Sequence, residues 1–234
     1  MMPAGKRYND IMKKVDRDNY YPIDEAITLV KEIANTKFDE TVEMHFHLGI
    51  DPRHSDQQVR STVMLPNGTG KSVRVLVFAE GEDARLAEEA GADVVADDEI
   101  LNKIQNEGWL DFDATLSTPD MMRKVGRVAR VLGPRGLMPN PKAGTVVQGE
   151  DLARAIDELK AGRVEFRNDK TGNLHIPIGK ASFENAKLLE NAQAVVAAVE
   201  GQKPSGIKGI YIRRMTIAST MSPGIRVQSS NATE

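Results

Sequence analysis

The sequence predicts a protein of mixed α/β and α+β class with two domains. One is an α+β domain of the split β-α-β kind formed by both chain ends, and the other is a Rossmann-like α/β domain with a parallel sheet inserted between them. Three observations carry this. Strands with strict apolar/polar alternation occur only near the two ends, as in sheets with one solvated face. The middle holds an almost continuous apolar strand followed by a helix, and the strand-helix pattern then recurs twice, as in a parallel sheet covered on both faces. Charge divides at the same places: the ends carry 20 Lys and Arg against 17 Asp and Glu, the middle 11 against 17. The expected domains are therefore residues 1–66 plus 160–234, and residues 67–159.

Taken in order, Asn9 to Val15 has weak helical character, and Ile23, Ala26, Ile27, Val30 and Ala34 share one helical face. Pro22 suits the start of that helix, and Asp24 and Glu25 suit its positive end. From Val42 to Ile50 every second residue is apolar, while Thr41, Glu43, His45 and His47 share the other face. Val59, Val63 and Leu65 continue the alternation until Pro66-Asn67-Gly68 ends it.

Val73 to Ala79 is the apolar strand of the middle, followed by a helix over Glu82 to Ala90 that Gly91 stops. Asp93 to Ala96 and Ala114 to Ser117 repeat the pattern. Thr118-Pro119-Asp120 supplies a cap, a first-turn Pro and an acidic first turn for a helix expected to run to Leu132. Gly133-Pro134 then reads as its stop, with Gly133 left-handed. Glu150 to Ala161 is the next helix, closed by Gly162. Leu174, Ile176 and Ile178 mark a strand, and Leu188, Ala192, Val195 and Val199 a helix. Ile210 and Ile212 are in phase, Met215 and Ile217 in the opposite phase, which predicts a bulge at Arg213-Arg214.

Composition narrows the function classes. The chain of 234 residues is 40% hydrophobic and 28% charged, an ordinary soluble balance. No apolar run approaches the ~20 residues of a membrane helix, and Met1 to Tyr20 is charged, so a cytoplasmic protein is expected. The absence of Cys removes disulfides, thiolate metal sites and Cys nucleophiles together. A net charge of -3 does not suit blanket neutralisation of phosphates.

Several motifs resolve to bland readings. Gly70-Lys71-Ser72 imitates the end of a phosphate-binding loop, but Leu65 stands where the motif needs Gly and a strand follows where it needs a helix. His45 and His47 read as part of a polar sheet face rather than a metal site. Asp97, Asp98 and Glu99, with Asp111 and Asp113, sit where helix caps and first turns fall, without a nucleophile motif. Trp109 reads as a packed anchor of the inserted domain. Two readings stay open for Arg123, Arg127 and Arg130, with Lys124 on their flank: a solvated helix face, or a basic strip continued by Arg135 and Lys142 toward phosphates. A rival of another class is an enzyme that holds a phosphorylated small molecule with Arg135 and Lys142.

The most distinctive text is Gly133-Pro134-Arg135-Gly136-Leu137-Met138-Pro139-Asn140-Pro141-Lys142-Ala143-Gly144, whose Gly and Pro content demands a shaped loop. Extended to Thr145, it resembles the signature of the L-one family of bacterial large-subunit ribosomal proteins, the protein of the ribosomal stalk. Lys37 to Glu43, Leu48 to Arg53, Gly162 to Gly172 and Thr220 to Pro223 resemble the same family, so the likeness covers nearly the whole chain. It implies a domain of both termini with an inserted parallel domain.

The resemblance also implies a non-enzymatic function without metal or cofactor: binding the stalk region of large-subunit rRNA, assisting release of tRNA from the exit site, and repressing translation of its own operon by binding its mRNA. A monomer outside the ribosome is expected. Carried over by motif, the RNA-binding candidates are Lys37, Phe38, Thr41, Glu43, Arg53, Arg167, Asp169, Lys170, Thr171, Thr220, Met221 and Ser222. Arg127, Arg130, Arg135 and Lys142 are candidates for a secondary RNA contact. Ser222 replaces a Gly common in the family. Hydroxyls and a carboxylate beside few cations suit the 2'-hydroxyls and base edges of a folded RNA.

Overall fold

The computed structural model describes residues 5–228, which fall into two compact units. One runs up to Gly70 and resumes at Val164; the other spans Lys71–Arg163.

In the first unit, helix α1 (Lys6–Met12) starts earlier than its pattern suggests, and Val15 reaches the core from the following turn. Helix α2 (Ile23–Ile33) buries Ala26, Ile27, Val30 and Ile33, with Pro22 at its cap and Asp24 and Glu25 in its first turn. Strand β1 (Thr41–Leu48) buries every second residue and ends two residues before Ile50, which stays half-buried. Strand β2 (Arg60–Met64) is shorter than the alternation suggests, although Val59 and Leu65 are buried beside it.

The second unit opens with β3 (Val75–Phe78), all four residues of which are buried. Helix α3 (Glu82–Glu89), strand β4 (Val94–Ala96), helix α4 (Asp98–Glu107) and strand β5 (Ala114–Ser117) complete a parallel sheet of order β4-β3-β5. Alternate residues of β3 face opposite layers. Leu76 and Phe78 pack with Ile104, Val125 and Leu132, while Val75 and Val77 pack with Ala87, Ile156 and Leu159. A strand covered on both sides has no use for polar alternation, which explains its apolar text. Trp109 packs at the edge of this core, with its ring 5.6 Å from that of Phe112.

The helix expected from Thr118 to Leu132 is broken. Thr118 is buried and donates its N–H to the Phe78 carbonyl, so it extends the strand end instead of capping. Helix α5 (Met122–Val125), a 3₁₀ turn over Gly126–Val128 and helix α6 (Ala129–Leu132) follow one another. Gly126, which costs about 1 kcal/mol against Ala inside a helix, stands at the break. The expected left-handed stop at Gly133 is also displaced. Gly133 is right-handed and begins a 3₁₀ turn with Pro134, and Gly136 takes the left-handed conformation with φ 71°. Helix α7 (Leu152–Ala161) ends at Gly162, left-handed with φ 114°.

Strand β6 (Arg163–Arg167), unannounced by the sequence pattern, pairs with β2 in a two-stranded sheet. Strand β7 (Asn173–Lys180), helix α8 (Asn185–Gly201) and strand β8 (Ile212–Ser219) then form a split β-α-β unit, because β1 lies between β7 and β8 and is antiparallel to both. A short β9 (Ile225–Val227) adds the outer strand of the order β7-β1-β8-β9. His47 opposes Arg214 and Leu48 opposes Ile212, so Arg213 is the extra residue of a bulge, as the phase switch predicts. The bulge lets Ile212 and Met215 both be buried; Ile210 lies ahead of the strand and is 60% exposed.

Candidate nucleic-acid interface

The apolar face of β1 packs with α2 and α8 side chains in one core, leaving the opposite sheet face open. Strand register writes this face as rows. Pro177, Glu43 and Ala218 form one; His175, His45, Thr216 and Arg226 the next; Asn173, His47 and Arg214 a third. The terminal candidates lie at the two ends of β1, about 23 Å apart by strand rise.

At the Thr41 end, a buried carboxylate organises the surface. Glu40 is 1% exposed and accepts the Ser219 hydroxyl at 2.8 Å, the Met221 N–H at 2.9 Å and the Thr36 N–H at 3.4 Å. Burial alone pushes its carboxyl up, but the Met221 and Ser219 bonds, with help from Thr36, outweigh this and hold it below its ordinary value. One acid thereby ties the segment before β1 to the turn after β8. Thr220 reinforces the tie, accepting the Thr41 N–H at 3.0 Å. Arg7 adds a bond to the Met221 carbonyl at 2.8 Å.

On this clamp Phe38 is 55% exposed and Met221 49% exposed, beside the exposed Lys37 and Thr220. Large apolar side chains held in water by a braced backbone suit contact with bases and sugars. The Thr41 hydroxyl accepts from the Lys180 ammonium at 2.9 Å, which brings a cation the sequence pattern did not single out. Ser222 turns its hydroxyl inward: it accepts the Ser219 N–H at 2.8 Å and so closes the turn.

At the Leu48 end, Asp169 is spent on the turn it begins. Its carboxylate accepts the N–H groups of Thr171 and Asn173, each at 2.8 Å, the Thr171 hydroxyl and the Asn173 amide. Burial raises its pKa, but the Asn173 and Thr171 bonds overcome that and keep it well below the usual carboxylate range. Asp169 and Thr171 thus shape the loop, while Arg167, Lys170 and Arg53 are exposed. Arg213 and Arg214 join them from the start of β8, also exposed. Their spacing around a bulge gave no functional signal in the sequence.

The remaining candidates belong to the second unit, where Arg123, Arg127, Arg130, Arg135 and Lys142 are all exposed. The 3₁₀ turn over Gly126–Val128 interrupts the regular helical spacing from which the basic strip was expected. Lys124 is instead paired with Glu80 and with Asp98. Inside the Gly- and Pro-rich loop, Asn140 accepts the Lys142 N–H at 2.7 Å, and Thr115 donates to the Leu137 carbonyl at 2.6 Å. Arg163 donates to the Ala143 carbonyl at 2.8 Å. Lys71 pairs with Asp113 at 2.5 Å, and its segment leads into β3, so no phosphate-cradling helix follows it. Among the described residues no group of three or more His, Asp or Glu is placed to hold a metal ion, and no helix is long and apolar enough to cross a membrane.

An antiparallel sheet with an open polar face, interrupted by a parallel α/β unit, defines a class of two-unit proteins, and the comparisons give that class a family. The chain belongs to the Ribosomal protein L1p/L10e family, whose model matches residues 30–223. It is 60% identical over 227 residues to large ribosomal subunit protein uL1 of Chloroflexus aggregans, covering 97% of this chain and 96% of that one. It is 55% identical over 234 residues to the protein of the same name from Thermosipho melanesiensis, covering all of both. The uL1 of Chloroflexus aurantiacus is 58% identical over 227 residues, with 97% and 96% covered. The family is one of structural ribosomal proteins, and the chain is not an enzyme.

Proposed function

We propose that the chain is a constituent of the large ribosomal subunit that binds the stalk region of its rRNA through the antiparallel unit. It assists release of tRNA from the exit site and represses its own operon by binding a similar fold in the mRNA. The supporting observation is the Glu40 clamp, which braces two distant segments so that Phe38, Thr220 and Met221 stand exposed together beside Lys37. Preorganised apolar groups flanked by hydroxyls recognise a folded RNA by shape and by its 2'-hydroxyls, with few phosphates neutralised. Glu43, Arg53, Arg167 and Lys170 extend the same surface along the sheet, with Asp169 and Thr171 as its scaffold. Arg127, Arg130, Arg135 and Lys142 supply the secondary contact from the parallel unit, and the protein is a monomer before it joins the subunit.

Titrating the full chain with a transcript of the rRNA stalk tests this. Thr220→Val combined with Met221→Ala should weaken binding by about tenfold or more, since both sit at the centre of the braced surface. Unchanged affinity in a variant with the wild-type circular dichroism spectrum removes this end of the sheet from the site.

A further inference from the structure

We propose that His45 and His175 form a proton-binding dyad at the centre of the open sheet face, and that RNA binding to this face is coupled to uptake of one proton by the dyad. The coupling rests on the RNA reading given above; the dyad stands on its geometry. His45 and His175 are directly opposed across β1 and β7, with their Nδ1 atoms 2.9 Å apart and their rings edge to face at 5.0 Å. A hydrogen bond between two identical ring nitrogens needs a proton on one and none on the other. The neutral pair therefore holds opposite tautomers.

The outer nitrogens decide what one more proton does. His45 Nε2 lies 4.0 Å from the Glu43 carboxylate, and His175 Nε2 lies 3.9 Å from the Asp169 carboxylate. In the neutral pair one of these nitrogens is bare and faces an anion. A single added proton places N–H on both Nε2 atoms and leaves the Nδ1–H···Nδ1 bond intact, with a carboxylate at each end. A second proton would put hydrogen on both Nδ1 atoms and break the pair, so its capacity is one.

The surroundings hold the extra proton loosely in the free chain. Glu43 on β1 and Asp169 ahead of β7 favour the proton; the other charged or titratable groups of these rows are Arg214 on β8, Arg226 on β9 and His47 on β1. Burial, then His175, holds His45 below its ordinary value despite Glu43. A polyanion laid across Arg226, Thr216 and His45 adds negative potential at this row and reverses that balance.

Nuclear magnetic resonance of the free full chain reads the dyad directly. Between pH 5 and 8 the two rings should respond together and take up one proton in total; two independent one-proton titrations overturn the dyad. Stalk-transcript affinity is then measured over the same range for the wild type and for His45→Gln with His175→Gln. The wild type should gain up to about tenfold per pH unit on acidification beyond the double variant, the slope for one linked proton. Equal slopes overturn the coupling. Absence of transcript binding at every pH from 5 to 8 overturns the RNA reading instead, and leaves the resonance result untouched.

Discussion

Glu40 accepts the Met221 N–H at 2.9 Å across 181 residues of chain, and this bond converts two separate loops into one surface. Glu40→Ala leaves the Ser219 hydroxyl and the Met221 N–H without their acceptor, at about 1–3 kcal/mol for each buried donor. Equilibrium urea unfolding should show a lower midpoint for the variant. Stalk-transcript affinity should fall with it although Phe38 and Met221 are intact. A midpoint within error of the wild type removes the clamp from the stability of this unit.

The same acid, with Asp169, makes the antiparallel unit acid-labile. Both have native pKa values depressed by hydrogen bonds to the charged form. Their stabilisation is therefore complete above the unfolded values of about 4 and is lost as pH falls toward the native ones. Thermal unfolding should show the midpoint dropping more steeply below about pH 4.5 for the wild type than for Glu40→Gln with Asp169→Asn, which starts lower. Parallel slopes would contradict the assignment.

Tyr211 is 4% exposed and its hydroxyl is buried without a hydrogen-bond partner among the described residues. Burial pushes its pKa up to about 12. Removing an unsatisfied buried hydroxyl while keeping the ring should raise stability, by about 1 kcal/mol. Tyr211→Phe is expected to shift the urea midpoint upward, and a clear decrease would mean the hydroxyl has a partner in solution.

Gly144 tests the Gly- and Pro-rich loop. Its φ is 62°, and a Cβ there would meet the Arg163 guanidinium that holds the Ala143 carbonyl. Gly144→Ala should destabilise the parallel unit by about 1–2 kcal/mol through backbone strain and a displaced Arg163. Hydrogen exchange should quicken around Asn140–Thr145; unchanged exchange there would show that Arg163 yields freely.

Binding through few cations predicts a shallow salt dependence. Because the slope scales with phosphates neutralised, log affinity against log salt should fall well short of -6 for the stalk transcript. A slope of that steepness would move recognition to Arg53, Arg167, Lys170, Arg213 and Arg214.

Much of the fold was legible because its signals are local. Period-two alternation in β1 and an unbroken apolar run in β3 separate an open antiparallel sheet from a covered parallel one without knowledge of partners. Strands β6 and β9 are hard to read from the sequence because each is short and, unlike the equally short β4 and β5, neither stands in a recurring strand-helix pattern. The break at Gly126 is not legible locally, because first-turn signals at Thr118 outweigh one glycine. Of the candidate site, Phe38, Thr220 and Met221 were named by resemblance, not by pattern. Glu40 carries no such mark, since an acid beside Asp39 has the same local pattern whether buried or solvated.

The sequence by itself determined the two kinds of sheet and a bulge at Arg213-Arg214, since each is written in the spacing of neighbouring residues, and its motifs carried the resemblance to the family. Only the tertiary structure decided that Glu40 serves Met221, that Asp169 and Ser222 turn inward, and that His45 meets His175. Those relations depend on strand register and loop closure across more than a hundred residues, where a slip of one residue would send every side chain to the opposite face.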